Sequence, residues 1–282
     1  DVECVGDRQG EFQAAVAGLS LASVDALASA WPGMDPFDTA RVASLIRAVG
    51  ETYGDAAATM AADWYESLRA DAGASGSYSA ELVADLPRER ATALARWGTE
   101  PLYRPSPDAI SALSLISGGL QRMVANAARD TITTAALADD GANGWARHAS
   151  ANACAFCAML ATRGAVYKTQ AGALSVTGVN LGGTDYWKMR RTGATREGIL
   201  RGSRATTIDQ GGRKGRATKR PLGERYHDHC HCVAIPVFGT YEPAPYVAGW
   251  RQVYADSTVR RPGGAIDTKA TLAEMRKALG TH

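Results

Sequence analysis

Apolar residues recur at helical spacing throughout the first half of the chain. From Phe12 they fall mostly three or four positions apart, which places them on one face of an amphipathic helix. Pro32 and Gly33 are expected to end this helix, because neither residue continues helical structure well. The predicted buried positions that follow Phe12 are Val16, Leu19, Val24, Leu27 and Trp31.

A second, longer helix is predicted to begin at Asp35. An acid at the N-cap and a proline at the first helical position, here Pro36, both favour helix initiation, and Asp38 adds an acid to the first turn. We expect the apolar stripe of this helix to pack in the core. That stripe comprises Val42, Leu45, Ile46, Val49, Tyr53, Met60, Trp64 and Leu68.

Two more helices complete the predicted helical region, residues 1–138. A short helix spans Pro87 to Trp97, and a proline-rich connector leads to a long helix capped by Ser106–Asp108. This half of the chain carries no recognisable catalytic constellation. The predicted inner face of the long helix comprises Ile110, Leu113, Ile116, Leu120, Met123, Val124 and Ala127.

The pattern changes near Asp139, where short apolar runs replace the long helical stripes. A short helix is predicted to open near Met159, and the tail ends in a helix, Thr268 to Leu279, that Gly280 stops. Predicted strands are Trp145–His148, Val166–Tyr167 and Val233–Phe238. The sequence therefore predicts an α+β fold: a mainly α-helical N-terminal half, a small α+β domain at 139–240, and a C-terminal tail at 241–282 with a short helix.

Composition sets limits on the class of protein but names no partner. A hydrophobic content of 45% and a charged content of 21% are typical of a globular chain with a substantial core, and the net charge is only +2. The first residues lack the basic and apolar regions of a signal peptide, and no apolar run approaches the roughly 18 residues of a membrane helix. We therefore expect a reducing compartment and no membrane association.

The distribution of the five cysteines is the strongest chemical feature of the sequence. Cys4 stands alone near the start and receives no role. The other four lie in two clusters, Cys154–Cys157 and Tyr226–Cys232, which are separated by about 70 residues, a length that is unusual for a simple loop. Thiolates at these spacings suit one tetrahedral Zn²⁺ site that closes the intervening segment. The leading ligand set is Cys154, Cys157, Cys230 and Cys232, and the main alternative replaces one of the last two with His227.

Two other states of these cysteines remain open. Disulfides would join the clusters if the protein ends up outside a cell, and unmodified thiols would pack as small hydrophobic side chains. A redox-active Cys-x-x-Cys is disfavoured, because no thioredoxin-like βαβ pattern surrounds it. The small α+β domain is accordingly predicted to be cross-linked by zinc or by disulfides.

A catalytic zinc site, as in a zinc-dependent nuclease or a toxin domain, is an alternative from a different functional class. It needs an open coordination position and an acid–base residue, for which Asp228 and Glu224 are available. A nuclease of the His-Asn-His type would use His227 or His229 beside a Cys-x-x-Cys knuckle. The sequence contains no His-Glu-x-x-His, and thiolate-rich sites are usually closed. We therefore expect a structural zinc, no enzymatic activity and no small-molecule substrate.

The segment between the two cysteine clusters is rich in arginine, lysine and glycine. Such charge suits contact with nucleic-acid phosphate, although a solvated loop anchored at both ends would have the same composition. Base-specific recognition of RNA is not expected, since Tyr186 and Trp187 are the few aromatic residues nearby. The candidate nucleic-acid-binding residues are Arg190, Arg191, Arg201, Arg204, Arg213, Lys214, Arg216, Lys219 and Arg220.

The two cysteine clusters also carry a resemblance to a known family. Residues Asn152–Tyr167 and Tyr226–Pro236 resemble the MuF-like minor head proteins of tailed phages, and most closely those from phages of actinobacteria. The family pattern is Cys-x-x-Cys, a long excursion, and then His-x-x-Cys-x-Cys followed by a short strand with proline. On this chain the pattern falls on Cys154, Cys157, His227, Cys230 and Cys232.

The resemblance, which covers residues 140–240, implies a structural component of the virion. Such proteins lie at the portal vertex inside the capsid, after synthesis in the host cytoplasm, and act in head assembly or in DNA packaging and ejection. The implied partners are the portal protein, the major capsid protein or both, together with packaged double-stranded DNA reached through the basic segment. The helical region 1–138 is expected to dock on the portal or capsid protein. A DNA-binding module with no role in the capsid is the remaining alternative.

Overall fold

Helices form most of the structure. The computed structural model describes residues 2–84, 86, 88–165 and 231–281. Short 3₁₀ helices at Trp31–Gly33 and Glu100–Tyr103 lie in the connections between long helices. In chain order the other elements are α1 (Val2–Ala30), α2 (Thr39–Asp71), α3 (Arg88–Gly98), α4 (Ala109–Ala138), β1 (Trp145–His148), α5 (Ala155–Ala161), β2 (Val233–Pro236), α6 (Val247–Asp256) and α7 (Thr268–Leu279). This architecture is consistent with the predicted α+β class.

Helices α2 and α4 lie side by side and run in the same direction. A Cβ atom added to Gly54, in the middle of α2, would lie 3.7 Å from the Cβ atom of Ala127 in α4. At the far end, the Arg69 guanidinium of α2 pairs with the carboxylate of Asp139, the residue that follows α4. Both helices therefore begin at one end of the bundle and finish at the other.

Helices α1 and α3 run in the opposite direction to this pair. Phe12, early in α1, stacks on Trp64, late in α2, with ring centroids 4.1 Å apart. The last residue of α3, Gly98, lies against Ile116 in the first third of α4. The connections from α1 to α2 and from α3 to α4 consequently lie at the same end of the bundle.

Each of the two long parallel helices begins at an aspartate N-cap. Asp38 accepts a hydrogen bond from the Arg41 amide at 3.0 Å, and Asp108 accepts one from the Ser111 amide at 2.9 Å. The prediction for Asp108 is confirmed. The N-cap predicted at Asp35 is wrong by three residues, because Asp35 instead accepts from the Phe37 amide and closes a turn ahead of the helix.

Small side chains form much of the core face of α2. Val42 and Ile46 are buried as predicted, but the other predicted stripe residues are only partly buried. Glycine and alanine allow α4 to approach closely, because the distance between helix axes depends on the side chains at the contact. Ile110 is also not part of the inner face of α4, since 85% of its surface is exposed. The small buried residues of α2 are Ala43, Gly50, Gly54, Ala57, Ala58, Ala61 and Ala62.

Two predicted strands are confirmed as one antiparallel pair. Trp145 lies opposite Pro236, and His148 lies opposite Val233. Both strands contribute to the core that α1, α2 and α4 share, and Phe238 just after β2 lies edge-on to Tyr65 of α2, with ring centroids 5.3 Å apart. The strand predicted at Val166–Tyr167 lies outside the described residues.

The C-terminal tail contains two helices, of which the sequence predicted one. Helix α7 spans the predicted residues, and Gly280 ends it in the left-handed conformation with φ of 61°. Helix α6 was not predicted. Asp267 caps α7 by accepting hydrogen bonds from the amides of Lys269 and Ala270.

One helix in the described part of the chain is long and apolar enough to cross a membrane, judged by length and composition alone. It covers Arg8–Gly33, near the N-terminus. This finding differs from the expectation that no apolar run reaches that length. A core helix of a soluble protein and a signal sequence meet the same criteria, and the face of α1 that carries Phe12, Val16 and Leu27 is buried in the core.

Candidate functional site

Helix α5 positions the first two candidate cysteines. Cys154 is the N-cap, with extended backbone (φ −63°, ψ 157°), and its carbonyl accepts from the Ala158 amide at 2.9 Å. Cys157 follows three residues later in the first turn, so both side chains belong to the same face of the helix start. The sequence predicted that this helix begins near Met159, but it begins four residues earlier, at Ala155. Alanine, methionine and leucine, which make up most of its residues, all favour helix.

Strand β2 positions the third candidate cysteine. Cys232 immediately precedes the strand and is 3% exposed. It lies in one hydrophobic cluster with Cys157, and Cys154 packs against that cluster from a partly buried position. We call this group the thiol cluster. Its other buried members are Ala149, Ala158, Ala161, Ala244, Val247 and Trp250.

The thiol cluster brings together three of the five predicted metal ligands. His227 and Cys230 lie outside the described residues. Sulfur donors in a hydrophobic cluster suit Zn²⁺, and they suit disulfide formation or simple packing equally well. Within the described ranges, no group of three or more His, Cys, Asp or Glu side chains is arranged to hold a metal ion. Zinc binding by the full set of five residues therefore stays a prediction.

Two helical side chains hold the backbone that leads into Cys232. The Gln13 amide of α1 donates to the His231 carbonyl at 2.8 Å, and Arg129 Nε of α4 donates to the Cys232 carbonyl at 2.7 Å. Arg129 is 1% exposed, and it also donates to the Asn126 side chain at 3.0 Å. A buried charge is costly unless it is hydrogen-bonded, so these contacts tie the position of Cys232 to the helical bundle. We call Gln13 and Arg129 the carbonyl clamp.

Sequence reasoning missed the carbonyl clamp. The available signal was a charged residue, Arg129, at a position that continues the apolar face of α4 between Val124 and Ile132. Such a residue is buried only when it has partners. Its partner lies 103 residues away in the chain, and spacing within the helix does not reveal that contact.

The C-terminal tail braces the other side of the thiol cluster. The Thr281 hydroxyl oxygen accepts from the Ala155 amide at 3.2 Å, and the Tyr246 hydroxyl donates to the Ala149 carbonyl at 2.7 Å. Met275 of α7 is fully buried in a smaller core with Ala155, Met159 and Leu160 of α5. The tail thereby stabilises the helix that carries Cys154 and Cys157, a role that the sequence did not indicate.

His148, at the end of β1, lies next to the thiol-cluster residue Ala149. Its side chain is buried, and burial lowers the pKa of the imidazole from 6.5 to about 4. His148 is therefore neutral at pH 7. It was not among the predicted ligands, which all lie in the two cysteine clusters.

The candidate nucleic-acid-binding residues between Arg190 and Arg220 all lie outside the described residues. The structure does describe both flanks of that segment. Gly164 lies beside Tyr241, since a Cβ atom added there would meet the tyrosine ring at 3.7 Å, and His231 is held by Gln13. Both flanks are therefore attached to the folded body.

Comparison with known proteins identifies one family. No curated protein and no solved structure matches the chain. A family model described as VG15 protein matches residues 7–178, a span that includes the helical bundle, Cys154 and Cys157 and ends before the second cysteine cluster. Because the match covers more than half of the chain, the protein belongs to the VG15 family of viral gene products, and it is a phage protein.

Proposed function

We propose that this protein is a structural minor capsid protein of a tailed phage, which lies at the portal vertex inside the head and acts in head assembly or in DNA packaging and ejection. Membership of a phage family supports a virion-associated role. The observation that supports the finer proposal is the thiol cluster, in which Cys157 and Cys232, from opposite ends of the long basic segment, are buried together and Cys154 packs against them. That arrangement agrees with the MuF-like pattern of two cysteine clusters around an excursion.

In this proposal the thiol cluster is part of a cross-link, formed by zinc or by disulfides, that joins the two ends of the basic segment. Cys154, Cys157 and Cys232 supply three sulfur ligands, and Cys230 or His227 completes a tetrahedral Zn²⁺ site. A bound zinc would supply structural cross-linking. Disulfides between the same residues would provide the same closure in the extracellular virion. Either cross-link would hold the ends of the basic segment on the folded body, where the carbonyl clamp and the C-terminal tail already bind the residues beside the cysteines.

Native mass spectrometry combined with metal analysis of the intact protein tests this cross-link. A single zinc per chain, lost when Cys157 and Cys232 are both replaced by serine, is the expected result for protein purified under reducing conditions. A mass lower by two hydrogens per bridge, without zinc, would assign the disulfide form. A reduced, metal-free chain that retains its fold would overturn the cross-link proposal.

The basic segment is proposed to contact packaged DNA through phosphate. Replacing Arg201, Arg204, Arg213 and Arg216 with serine should weaken DNA binding and reduce its salt dependence. A variant that makes fewer phosphate contacts releases fewer counterions from the DNA when it binds. Replacing the exposed α2 residues Arg41 and Arg47 is the matched control. Unchanged affinity and an unchanged salt slope in the excursion variant would remove DNA from the proposal.

Presence in the virion tests the capsid role itself. The protein should be detected by mass spectrometry in purified virions, in few copies, and should co-purify with the portal protein or the major capsid protein. A metal-dependent DNA-nicking activity that disappears in the His229→Ala variant would instead assign the chain to the zinc nucleases. A protein that binds DNA but is absent from virions would be a DNA-binding module without a capsid role.

A further inference from the structure

Exposed apolar side chains concentrate at the end of the bundle where α2 and α4 begin. Four of the eight large hydrophobic side chains that are exposed in the described part of the chain lie there. Phe37 is in the connection from α1 to α2, and Trp97 is in the last turn of α3. Tyr103 is in the connection from α3 to α4, and Ile110 is in the first turn of α4. We call these four side chains the apolar tip.

The aromatic rings at the two connections are held in place within the chain. Phe37 and Tyr103 pack edge to face, with ring centroids 5.5 Å apart and an interplanar angle of 87°. The Tyr103 hydroxyl donates to the Phe37 carbonyl at 3.4 Å, and the Asp35 carboxylate accepts from the Phe37 amide at 3.0 Å. A surface that is ordered before binding loses less conformational entropy when a partner docks.

The exposed apolar area of the tip is close to what a homodimer interface requires. Phe37, Trp97 and Tyr103 are 53%, 49% and 62% exposed. An aromatic side chain buries about 150–250 Å², so these three rings offer on the order of 300 Å². Ile110, which is 85% exposed, adds to this area. A stable interface takes about 800 Å² from each partner, of which about 65% is apolar in homodimers, so the tip supplies the larger part of that apolar area.

Charges of both signs border the apolar tip. The two connections and the helical turns that adjoin them carry four acids and three arginines, namely Asp35, Asp38, Glu100, Asp108, Arg41, Arg96 and Arg104. Glu100 and Arg104 pair with each other at 2.6 Å, and the other five groups make no ion pair within the described part of one chain. A border of mixed sign complements itself when two copies meet around a two-fold axis, whereas a border of one sign would repel its own copy.

The apolar tip lies far from the thiol cluster. Ile110 and Arg129 are both on α4, and 19 residues of helix at 1.5 Å per residue place them about 28 Å apart along its axis. Arg129 is the residue that binds the Cys232 carbonyl. Two copies joined at their tips would therefore keep both thiol clusters outside the interface.

We propose that the apolar tip pairs with the apolar tip of a second copy of this chain, around a two-fold axis. Phe37 and Tyr103 are the anchors, since aromatic residues in the centre of an interface provide much of the binding energy. Trp97 and Ile110 extend the apolar contact onto α3 and α4. The charged border fixes the register of the two copies. Dimerisation through the tip is independent of the proposed capsid role and of zinc.

Sedimentation velocity of the full-length protein, with reductant and chelator present, tests the proposal. Under these conditions neither disulfides nor zinc can join two chains, and the wild type should still dimerise. The dissociation constant of the Phe37→Ala/Tyr103→Ala dimer should be roughly tenfold higher or more, as expected for the loss of interface anchors. The matched control is Leu21→Ala/Leu82→Ala, which removes two side chains of similar exposure outside the tip. Circular dichroism melting of both variants verifies that the fold is retained.

Photo-crosslinking identifies the surface that the second copy uses. With a photoreactive amino acid in place of Tyr103, a mixture of isotope-labelled and unlabelled protein should give adducts that join one chain of each kind. Both cross-linked peptides should come from the tip, because a two-fold contact uses the same patch on each copy. Adducts from position 103 to a surface outside the tip would contradict the two-fold pairing.

Reversing two charges tests the border. The variant Arg41→Glu/Arg96→Glu should dimerise more weakly at low salt, because its border is almost entirely negative, and added salt should reduce the difference from the wild type. Equal dimerisation of this variant and the wild type at low salt would contradict the complementarity of the border.

Two results would overturn dimerisation through the tip. One is wild-type protein that remains monomeric at the highest concentration reached. The other is a folded Phe37→Ala/Tyr103→Ala variant that dimerises as strongly as the wild type. Both results would leave the capsid role standing, because presence in the virion tests that role separately.

Discussion

At the scale of single residues, Arg69 and Asp139 form a buried ion pair that joins the ends of α2 and α4. Arg69 Nε lies 2.8 Å from Asp139 Oδ2, and the Tyr65 hydroxyl donates to the same oxygen at 3.0 Å. Burial opposes ionisation of Asp139, but hydrogen bonds from Arg69, the Gly141 amide and Tyr65 outweigh it and lower the pKa of the carboxyl group. Arg69 also donates to the carbonyls of residues 74–76, so it holds the loop after α2 in place.

The variant Arg69→Met should be strongly destabilised. It leaves the Asp139 carboxylate buried without its cation, and breaking one side of a buried pair costs about 3–5 kcal/mol. The matched control is Arg47→Met, which removes a solvent-exposed pair with Glu51 and should cost less than about 1 kcal/mol. Urea unfolding of both variants measures the difference, and equal losses would contradict the assignment.

His148 should make the free energy of unfolding depend on pH. Its pKa is about 4 in the folded protein, against an ordinary value of 6.5, because burial disfavours the charged ring. The unfolded chain therefore binds the proton first, so stability is full above pH 6.5 and falls as the pH decreases toward 4. Between pH 7 and pH 5 the expected contribution is a loss of about 2 kcal/mol.

Replacing His148 with glutamine should flatten this part of the pH profile. Urea unfolding of the wild type and of the variant at pH 7, 6 and 5 measures the difference. A His148→Gln profile as steep as that of the wild type would show that other groups dominate the pH dependence.

At the scale of elements, glycines decide how closely α3 approaches α4. A Cβ atom added to Gly119 of α4 would lie 2.4 Å from Leu94 Cδ1, and one added to Gly98 of α3 would lie 2.4 Å from Ile116 Cγ1. Both distances are far inside van der Waals contact. The two helices can pack at this separation only because these positions have no side chain.

Glycine-to-alanine substitutions in α4 and in α1 should therefore change the stability of the protein in opposite directions. Gly119→Ala forces Leu94 to move and should destabilise the protein by about 1–3 kcal/mol. Gly18 lies in α1, and a Cβ atom added there would have no other atom within 4 Å. Gly18→Ala should therefore stabilise the protein by about 0.5–1 kcal/mol, because alanine is the better helix former. Thermal unfolding compares the two, and a Gly119→Ala variant as stable as the wild type would contradict the packing.

Sequence reasoning recovered the elements better than their buried faces. Spacing and caps predicted α4 with its Asp108 cap, and α7 with its Gly280 stop, because both features are local. Periodicity favoured the large residues of α2, whereas the structure buries a glycine and alanine face. Small residues carry little hydrophobic signal, so only the approach of α4 reveals which face of α2 is inside.

At the scale of the whole molecule, the helical bundle controls the position of Cys232 through the carbonyl clamp. Gln13 of α1 and Arg129 of α4 donate hydrogen bonds to the consecutive carbonyls of His231 and Cys232, which follow the basic segment. The bundle is thus coupled to the thiol cluster, although no cysteine ligand lies within it. Loss of the carbonyl clamp should release the backbone at His231 and Cys232 while the helical bundle stays folded.

The variant Arg129→Met should expose Cys232 to thiol-labelling reagents. Hydrogen bonds from a charged donor contribute about 1.5–3 kcal/mol, so labelling in the presence of reductant and chelator should be roughly tenfold faster or more. Mass spectrometry of labelled peptides resolves Cys232 from Cys157, and the exposed α2 variant Arg41→Met is the control. Unchanged labelling of Cys232, with the fold intact, would contradict a positioning role for Arg129.

The sequence by itself determined most of the helices and their ends, the two strands and the two cysteine clusters, because each is a pattern of neighbouring residues. The sequence also predicted that the two cysteine clusters come together. Tertiary structure alone decided which residues hold Cys232 and the helix after Cys154 in place, namely Gln13, Arg129 and the C-terminal tail. It also decided that Phe37 and Tyr103 meet at one end of the bundle. These contacts join residues that are far apart in the chain, and such contacts depend on how whole helices pack, which local spacing does not encode.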